Sequence, residues 1–217
     1  MSASQLVNTG VSPQPDEQML AQGSRSRVRI VRRHSTGIMG CVLSLRMNDA
    51  AVATLGVLSG LVGVVPPGGL AAGLREIAAG GIVRRGEVLT WAGSTGDAAG
   101  APSFFGDLTA WECSDSSFHL EDLVPVDVVI VDDAPVISGE GQRILLLHGV
   151  AFALEFSQRV YGLNPPSSVR CILGVNETNA TFRFHQIRPG ESWNVPDLDN
   201  YRLEMLVVID IEPANGR

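Results

Sequence analysis

The sequence predicts an α+β chain: mainly an antiparallel β-sandwich, with the jelly roll as one form of it, joined to a Gly/Ala-rich helical hairpin. Three observations carry this reading. The C-terminal half alternates apolar and polar residues with a period of two, the pattern of half-buried strands. Turn-forming clusters separate these segments: Ser138-Gly139-Glu140-Gly141, Asn164-Pro165-Pro166, Asn176 to Asn179 and Arg188-Pro189-Gly190. Residues 50–74, by contrast, carry no charge and are dominated by Gly, Ala, Val and Leu.

Four segments follow in order. Residues 1–24 are polar, contain Pro13 and Pro15 and lack periodicity, so they are expected to form a flexible arm. Residues 25–96 are expected to form a strand, helical-hairpin, strand module. Its first strand runs from Ser26 to Arg32, with Val28 and Ile30 on one face and arginines on the other; a second covers Ile38 to Met47. Asn48 or Asp49 can cap a helix from about Ala50 to Val64, which Pro66, Pro67, Gly68 and Gly69 end. A shorter helix places Leu70, Leu74 and Ile77 on one face and stops at Gly80, before a strand from Glu87 to Trp91.

Residues 97–122 form a linker-like acidic segment, with the unit boundary expected within 93–122. Residues 123–217 are expected to form the sandwich. Its strands would contain the apolar run Val126 to Val131, expected to be deeply buried, and Ile144 to Leu147. Val150, Phe152, Leu154 and Phe156 alternate next, followed by Val169 to Val175, Phe182 with Phe184, and Leu203, Met205, Val207, Ile209 and Ile211. Leu203 is expected in the buried set.

Composition narrows the function classes. All sixteen basic side chains are arginine, which excludes a Walker-type phosphate loop, a protein-kinase site and Schiff-base catalysis, each of which needs a lysine. A GC-rich genome that exchanges lysine for arginine is the simplest cause. Cys41, Cys113 and Cys171 are widely spaced and match neither a zinc ladder nor a disulfide framework. The start lacks the charged and apolar regions of a secretory signal, so a cytoplasmic or virion location is expected.

The net charge is −7 but polarised. Arg25, Arg27, Arg29, Arg32 and Arg33 crowd together, whereas Gly86 to Gln142 holds no basic residue except His119. Such asymmetry suits a partner of opposite charge, either a second copy or nucleic-acid phosphates. No aromatic residues interleave with the arginines, as base stacking would require.

The remaining candidates are weaker. Asp197, Asp199 and Asn200, or Asp132 and Asp133, offer oxygen ligands to calcium without an EF-hand pattern. His148 and His185, read as lying on adjacent strands near Cys171, could meet as metal ligands or an acid/base pair. His119, Glu121 and Asp122 are acid/base-capable but have no accompanying nucleophile motif. The Asn176-Glu-Thr178 and Asn179-Ala-Thr181 sequons read as turn chemistry. No catalytic residue, cofactor or metal site is assigned, and no small-molecule ligand is indicated. The expected function is a non-enzymatic, self-assembling structural subunit, particle- or virion-like, using the five arginines as its assembly or polyanion contact. Two alternatives stand beside it: a membrane-active protein inserting its Gly/Ala hairpin, and a small metal- or ligand-binding enzyme on the sandwich.

Overall fold

The computed structural model describes residues 27–32, 41–56, 66–96 and 105–213. Strands β1 (Arg27–Arg32) and β2 (Cys41–Met47) precede helix α1 (Asp49–Leu55). Helix α2 (Ala72–Gly80) leads into a ribbon of β3 (Ile82–Arg85) and β4 (Val88–Trp91). Helix α3 (Leu108–Asp115), the short β5 (Phe118–His119) and a 3-10 turn at Leu120–Asp122 follow. A hairpin of β6 (Val128–Val131) and β7 (Ala134–Ile137) then runs directly into the long helix α4 (Gly139–Tyr161). Strands β8 (Val169–Val175), β9 (Ala180–Gln186) and β10 (Met205–Pro213) complete the chain, with a 3-10 turn at Leu198–Asn200 before the last.

The class is α+β with antiparallel strands, and its sheets are open. The principal sheet has the order β1-β2-β10-β8-β9-β5; β3–β4 and β6–β7 are separate two-stranded ribbons. A second full sheet facing the first, which a sandwich or jelly roll needs, is not seen among the described residues. The layer on the core face is helical instead.

Its main member, α4, corrects the expected strands between Ile144 and Phe156. Ser138 caps the helix by accepting from the Gly141 amide at 3.1 Å. Leu145, Phe152, Phe156 and Val160 are buried, which is helical spacing, and the Ala and Leu residues between them favour helix. The residues at 150–156 fit a period of two over that short window only. The whole helix fits 3.6.

Phe152 and Phe156 meet Phe182 and Phe184 of β9, Phe118 of β5 and Trp91 of β4. The tightest contacts are edge-on, at 4.8 Å for Phe152–Phe182 and 4.8 Å for Trp91–Phe184. Close approach is possible because α4 has Gly149 over β8; a Cβ there would lie 2.5 Å from Leu173 Cδ2. The continuous core draws on residues from Leu43 to Ile211.

Two polar devices fix the periphery to this core. Asn48, buried, caps α1 by accepting from the Ala51 amide and also from the Leu206 amide, while its Nδ2 donates to the Glu204 and Tyr201 carbonyls. Helix α1 ends at Gly56 in the left-handed conformation (φ 64°), so the expected uninterrupted helix from Ala50 to Val64 stops early; residues 57–65 lie outside the described residues. The second device is the Glu112 carboxylate of α3, which is fully buried. It accepts from the Leu89 amide at 2.6 Å, the Gln186 amide at 2.7 Å and both terminal nitrogens of Arg188 at 2.7 and 2.8 Å. All its stronger lone-pair directions are thus used, which is what makes a buried charge tolerable.

Helix α3 falls within the segment 97–122, where a linker was expected; Trp111, Glu112 and Cys113 are buried there. Strand β3, which the sequence reading missed, is a short antiparallel partner of β4. On β10, Met205, Val207, Ile209 and Ile211 are buried on the core face. Leu203 is not: it precedes the strand and is 93 % exposed. Leu206 and Val208 are covered on the opposite face with Ile172, Leu198 and Tyr201. That second covering explains why β10 reads as apolar on both sides.

Val207 lies fully buried between β2 and β8. A Val207→Asp chain should lose about 4 kcal/mol or more of stability, the scale of an unpaired buried charge. Denaturant melts of the two chains measure the difference.

Candidate interaction site

The structural feature that calls for a functional explanation is the β6–β7 hairpin. Among the described residues, its two strands pair only with one another. Val128, Val129, Ile130 and Val131 are 40, 54, 69 and 50 % exposed. This reverses the expectation of deep burial for Val128 to Val131; of the expected run, Val126 alone packs, half-buried, against the core. A β-branched apolar run has strand propensity wherever it sits, but here the core face of the sheet is already occupied by α4.

The turn is Asp132-Asp133, both with positive φ (50° and 61°), and the register pairs Val131 with Ala134 across it. That is a two-residue hairpin of the type whose twist matches its strands; Asp tolerates the left-handed region better than most residues. The feet are secured. Val124 and Ile137 are buried, the Ile137 amide donates to the Glu177 carbonyl at 2.7 Å, and the Ile137 carbonyl accepts from Gln142 Nε2 at 2.9 Å. The hairpin is held at its base and bare along its length.

Its two edges differ. In a two-residue hairpin, the pair beside the turn exchanges both hydrogen bonds, and the next pair points its amides and carbonyls outward. The outward pairs are therefore Ile130–Pro135 and Val128–Ile137. Proline has no N–H to offer, and the Ile137 amide is already bonded, so the β7 edge is closed. The outward groups of Val128 and Ile130 have no partner among the described residues. Among the described residues the β6 edge is open.

Of the five arginines expected to make the assembly contact, Arg27, Arg29 and Arg32 lie in β1. This strand ends the principal sheet and pairs only with β2 among the described residues. Register sets Arg27 opposite Arg46 and Arg29 opposite Ser44. Arg25 and Arg33 lie outside the described residues, as do residues 1–24.

The other candidates have local structural roles. Asp199 Oδ1 accepts from the Asp49 amide at 2.8 Å, and Asp197 Oδ1 from the Asp199 amide at 3.2 Å. Asn176 Oδ1 accepts from the Thr178 and Asn179 amides, closing the β8–β9 turn. Glu121 accepts from the Ala180 amide at 2.9 Å and lies 3.2 Å from His119.

His148 and His185 do not meet. His148 belongs to α4, on the core side, where its Nδ1 accepts from the Ala71 amide at 3.3 Å. On the sheet, Cys171 pairs with Phe184 on the core side, whereas His185 pairs with Arg170 on the other. The sheet therefore separates His185 from both His148 and Cys171. Arg170 itself holds Asp210 of β10 bidentately at 2.6 and 3.0 Å. Burial pushes the Cys113 thiol up to about 12 and the Cys171 thiol well up, so both stay protonated. No group of three or more metal-ligating side chains gathers among the described residues, and no helix there is long and apolar enough to cross a membrane.

A family model described as the uncharacterized protein PM0498 family matches residues 69–216, and the chain belongs to that family. The match spans the hairpin, α4 and every strand from β3 onward. No curated protein and no solved structure matches the chain.

Burial holds both His148 and His185 below their ordinary value of 6.5. The unfolded chain therefore takes up these protons at higher pH than the folded one, so stability falls as pH drops below about 6.5 and is free of this effect above it. Denaturant melts at pH 7.5 and 5.5 should show the loss, and His148→Asn should reduce it. The turn gives a separate expectation: Asp132→Asn with Asp133→Gly should stabilise the hairpin by a few tenths to about 1 kcal/mol, since Asn-Gly suits two positive φ values best. Amide exchange at Val129 and Val131, whose bonds lie inside the hairpin, reads this directly.

Proposed function

We propose that this family member is a non-enzymatic, self-assembling structural subunit, of the kind from which particles are built. The observation that carries the reading is the β6–β7 hairpin: a fixed base, an apolar length in solvent and one open hydrogen-bonding edge. A free edge of this composition is a template for another strand, and monomeric proteins usually blunt such edges with charge, proline or a cover. Here β7 carries the proline and β6 carries no such guard. A two-stranded ribbon is also marginal alone and gains stability when further strands join it.

The polarised charge supports the same reading. Acidic residues cluster around the hairpin, at Asp127, Asp132 and Asp133, while arginines concentrate in and beside β1. Opposite charges on different parts of one chain steer copies together and set their register.

Sedimentation of the intact chain over a range of concentration and salt tests this. Mass above the monomer is expected at low salt, declining as ions screen the charges over about 10 Å at 0.1 M. Ile130→Lys should return the chain to a monomer with an unchanged fold. A wild-type chain that stays monomeric at every concentration and salt would refute the proposal.

A further inference from the structure

We infer that β6 of one copy pairs with the outer edge of β1, which no described strand covers, in a second copy, so that the contacts run head to tail. The inference rests on the assembly reading and names its partner surface.

The hairpin has one edge on which pairing can occur. Pro135 offers no N–H on the β7 side, and Ile137 is engaged by Glu177, whereas the outward amides and carbonyls of Val128 and Ile130 have no partner among the described residues. A strand joining there needs an edge of its own. Among the described residues, the principal sheet ends in β1 and β5. Strand β5 has two residues, too few to match the four of β6; β1 has six.

Charge selects the same pair. The hairpin and its flanks hold Asp127, Asp132 and Asp133 and no basic residue, while β1 holds Arg27, Arg29 and Arg32 and no acidic one. The rival arrangement is symmetric, β6 against β6. Antiparallel pairing of that kind lays the Asp132-Asp133 turn of each copy beside Asp127 of the other, and like charges across strands oppose it. The hairpin does not serve its own β1 either. Its foot is bonded at the β8–β9 turn, and β2, β10 and β8 lie between β9 and β1, four strand spacings or about 19 Å. The contact therefore joins two different surfaces, which generates an open chain of subunits or a closed ring.

A mixing experiment separates the two arrangements. One chain carries Ile130→Pro, which removes the outward N–H but none of the hairpin's internal bonds. The other carries Arg27→Asp and Arg29→Asp. Each alone is expected to sediment as a monomer where the wild-type chain is larger. Mixed in equal amounts, they should form a one-to-one complex and nothing larger, because one live hairpin meets one live edge. If the arginine variant alone assembles like the wild type, or if the mixture stays monomeric while both chains are folded by circular dichroism, the β1 seat is wrong. If the wild-type chain is itself monomeric throughout, the assembly reading has failed rather than the choice of seat. Should Ile130→Pro fail to fold, Ile130→Lys takes its place with the same expected outcome. Asp132→Asn with Asp133→Asn, which leaves the strand edges intact, should weaken wild-type association about tenfold at low salt and flatten its salt dependence; unchanged association would remove the charge argument and with it the preference for β1.

Discussion

Packing of α4 across the core face of the principal sheet is the interaction on which the rest of the molecule depends. Gly149 brings the helix axis close over Leu173, and Phe152 and Phe156 then reach the aromatic side chains of β9, β5 and β4. The ring contacts add to the apolar area removed from water, each pair by about 0.5–1.5 kcal/mol. Because one helix covers the strands, the short elements are arranged around it. Helix α3 is held by Glu112 to β4, to the end of β9 and to Arg188; α1 is held by Asn48 to the start of β10.

The same packing decides what becomes of the segment just before α4. The helix begins two residues after β7, with Ile137 buried and its amide bonded to Glu177. The chain between Val126 and Ile137 must leave the core and return to it within this fixed frame. With the core face covered, its apolar strand has solvent on both sides. A run that would be buried in another fold becomes a projecting ribbon, and its exposure is a consequence of topology rather than of local sequence. Exposed apolar surface with an unpaired backbone edge is a liability in isolation. Under the proposed assembly, contact with another copy would turn it into an interface.

The sequence revealed the short-range features well. A cap at Asn48 or Asp49, the stop after Gly80 and the β8–β9 turn at Asn176 to Asn179 are set by neighbours in the chain, and the structure has a cap at Asn48, the stop and the turn. On β10 the core-face set from Met205 to Ile211 holds, without Leu203 and with the opposite face covered as well. Helix α4 was illegible as a helix because Val150, Phe152, Leu154 and Phe156 satisfy a strand pattern locally. Only the longer window from Leu145 to Val160, with Ser138 in capping position, distinguishes the periods. Helix α3 was hidden by composition: the Gly/Ala/Ser-rich stretch before it resembles a linker, and Glu112 is charged yet fully buried because Arg188, distant in sequence, supplies its partner. The hairpin was visible as a strand but assigned to the wrong environment. Its signal was the pair Asp132-Asp133 followed by Pro135, a tight turn and a proline-guarded edge, which together suit a ribbon at the surface better than a central strand.

The most direct test of the account is backbone amide exchange measured residue by residue at dilute and high concentrations of the intact chain. Val128 and Ile130 direct their amides away from the hairpin, while those of Val129 and Val131 are bonded within it. If another strand seats on β6, exchange at Val128 and Ile130 should slow as concentration rises, with Val129 and Val131 changing far less. Equal exchange at Val128 and Ile130 in the dilute and concentrated samples, under conditions where the chain has associated, would contradict it.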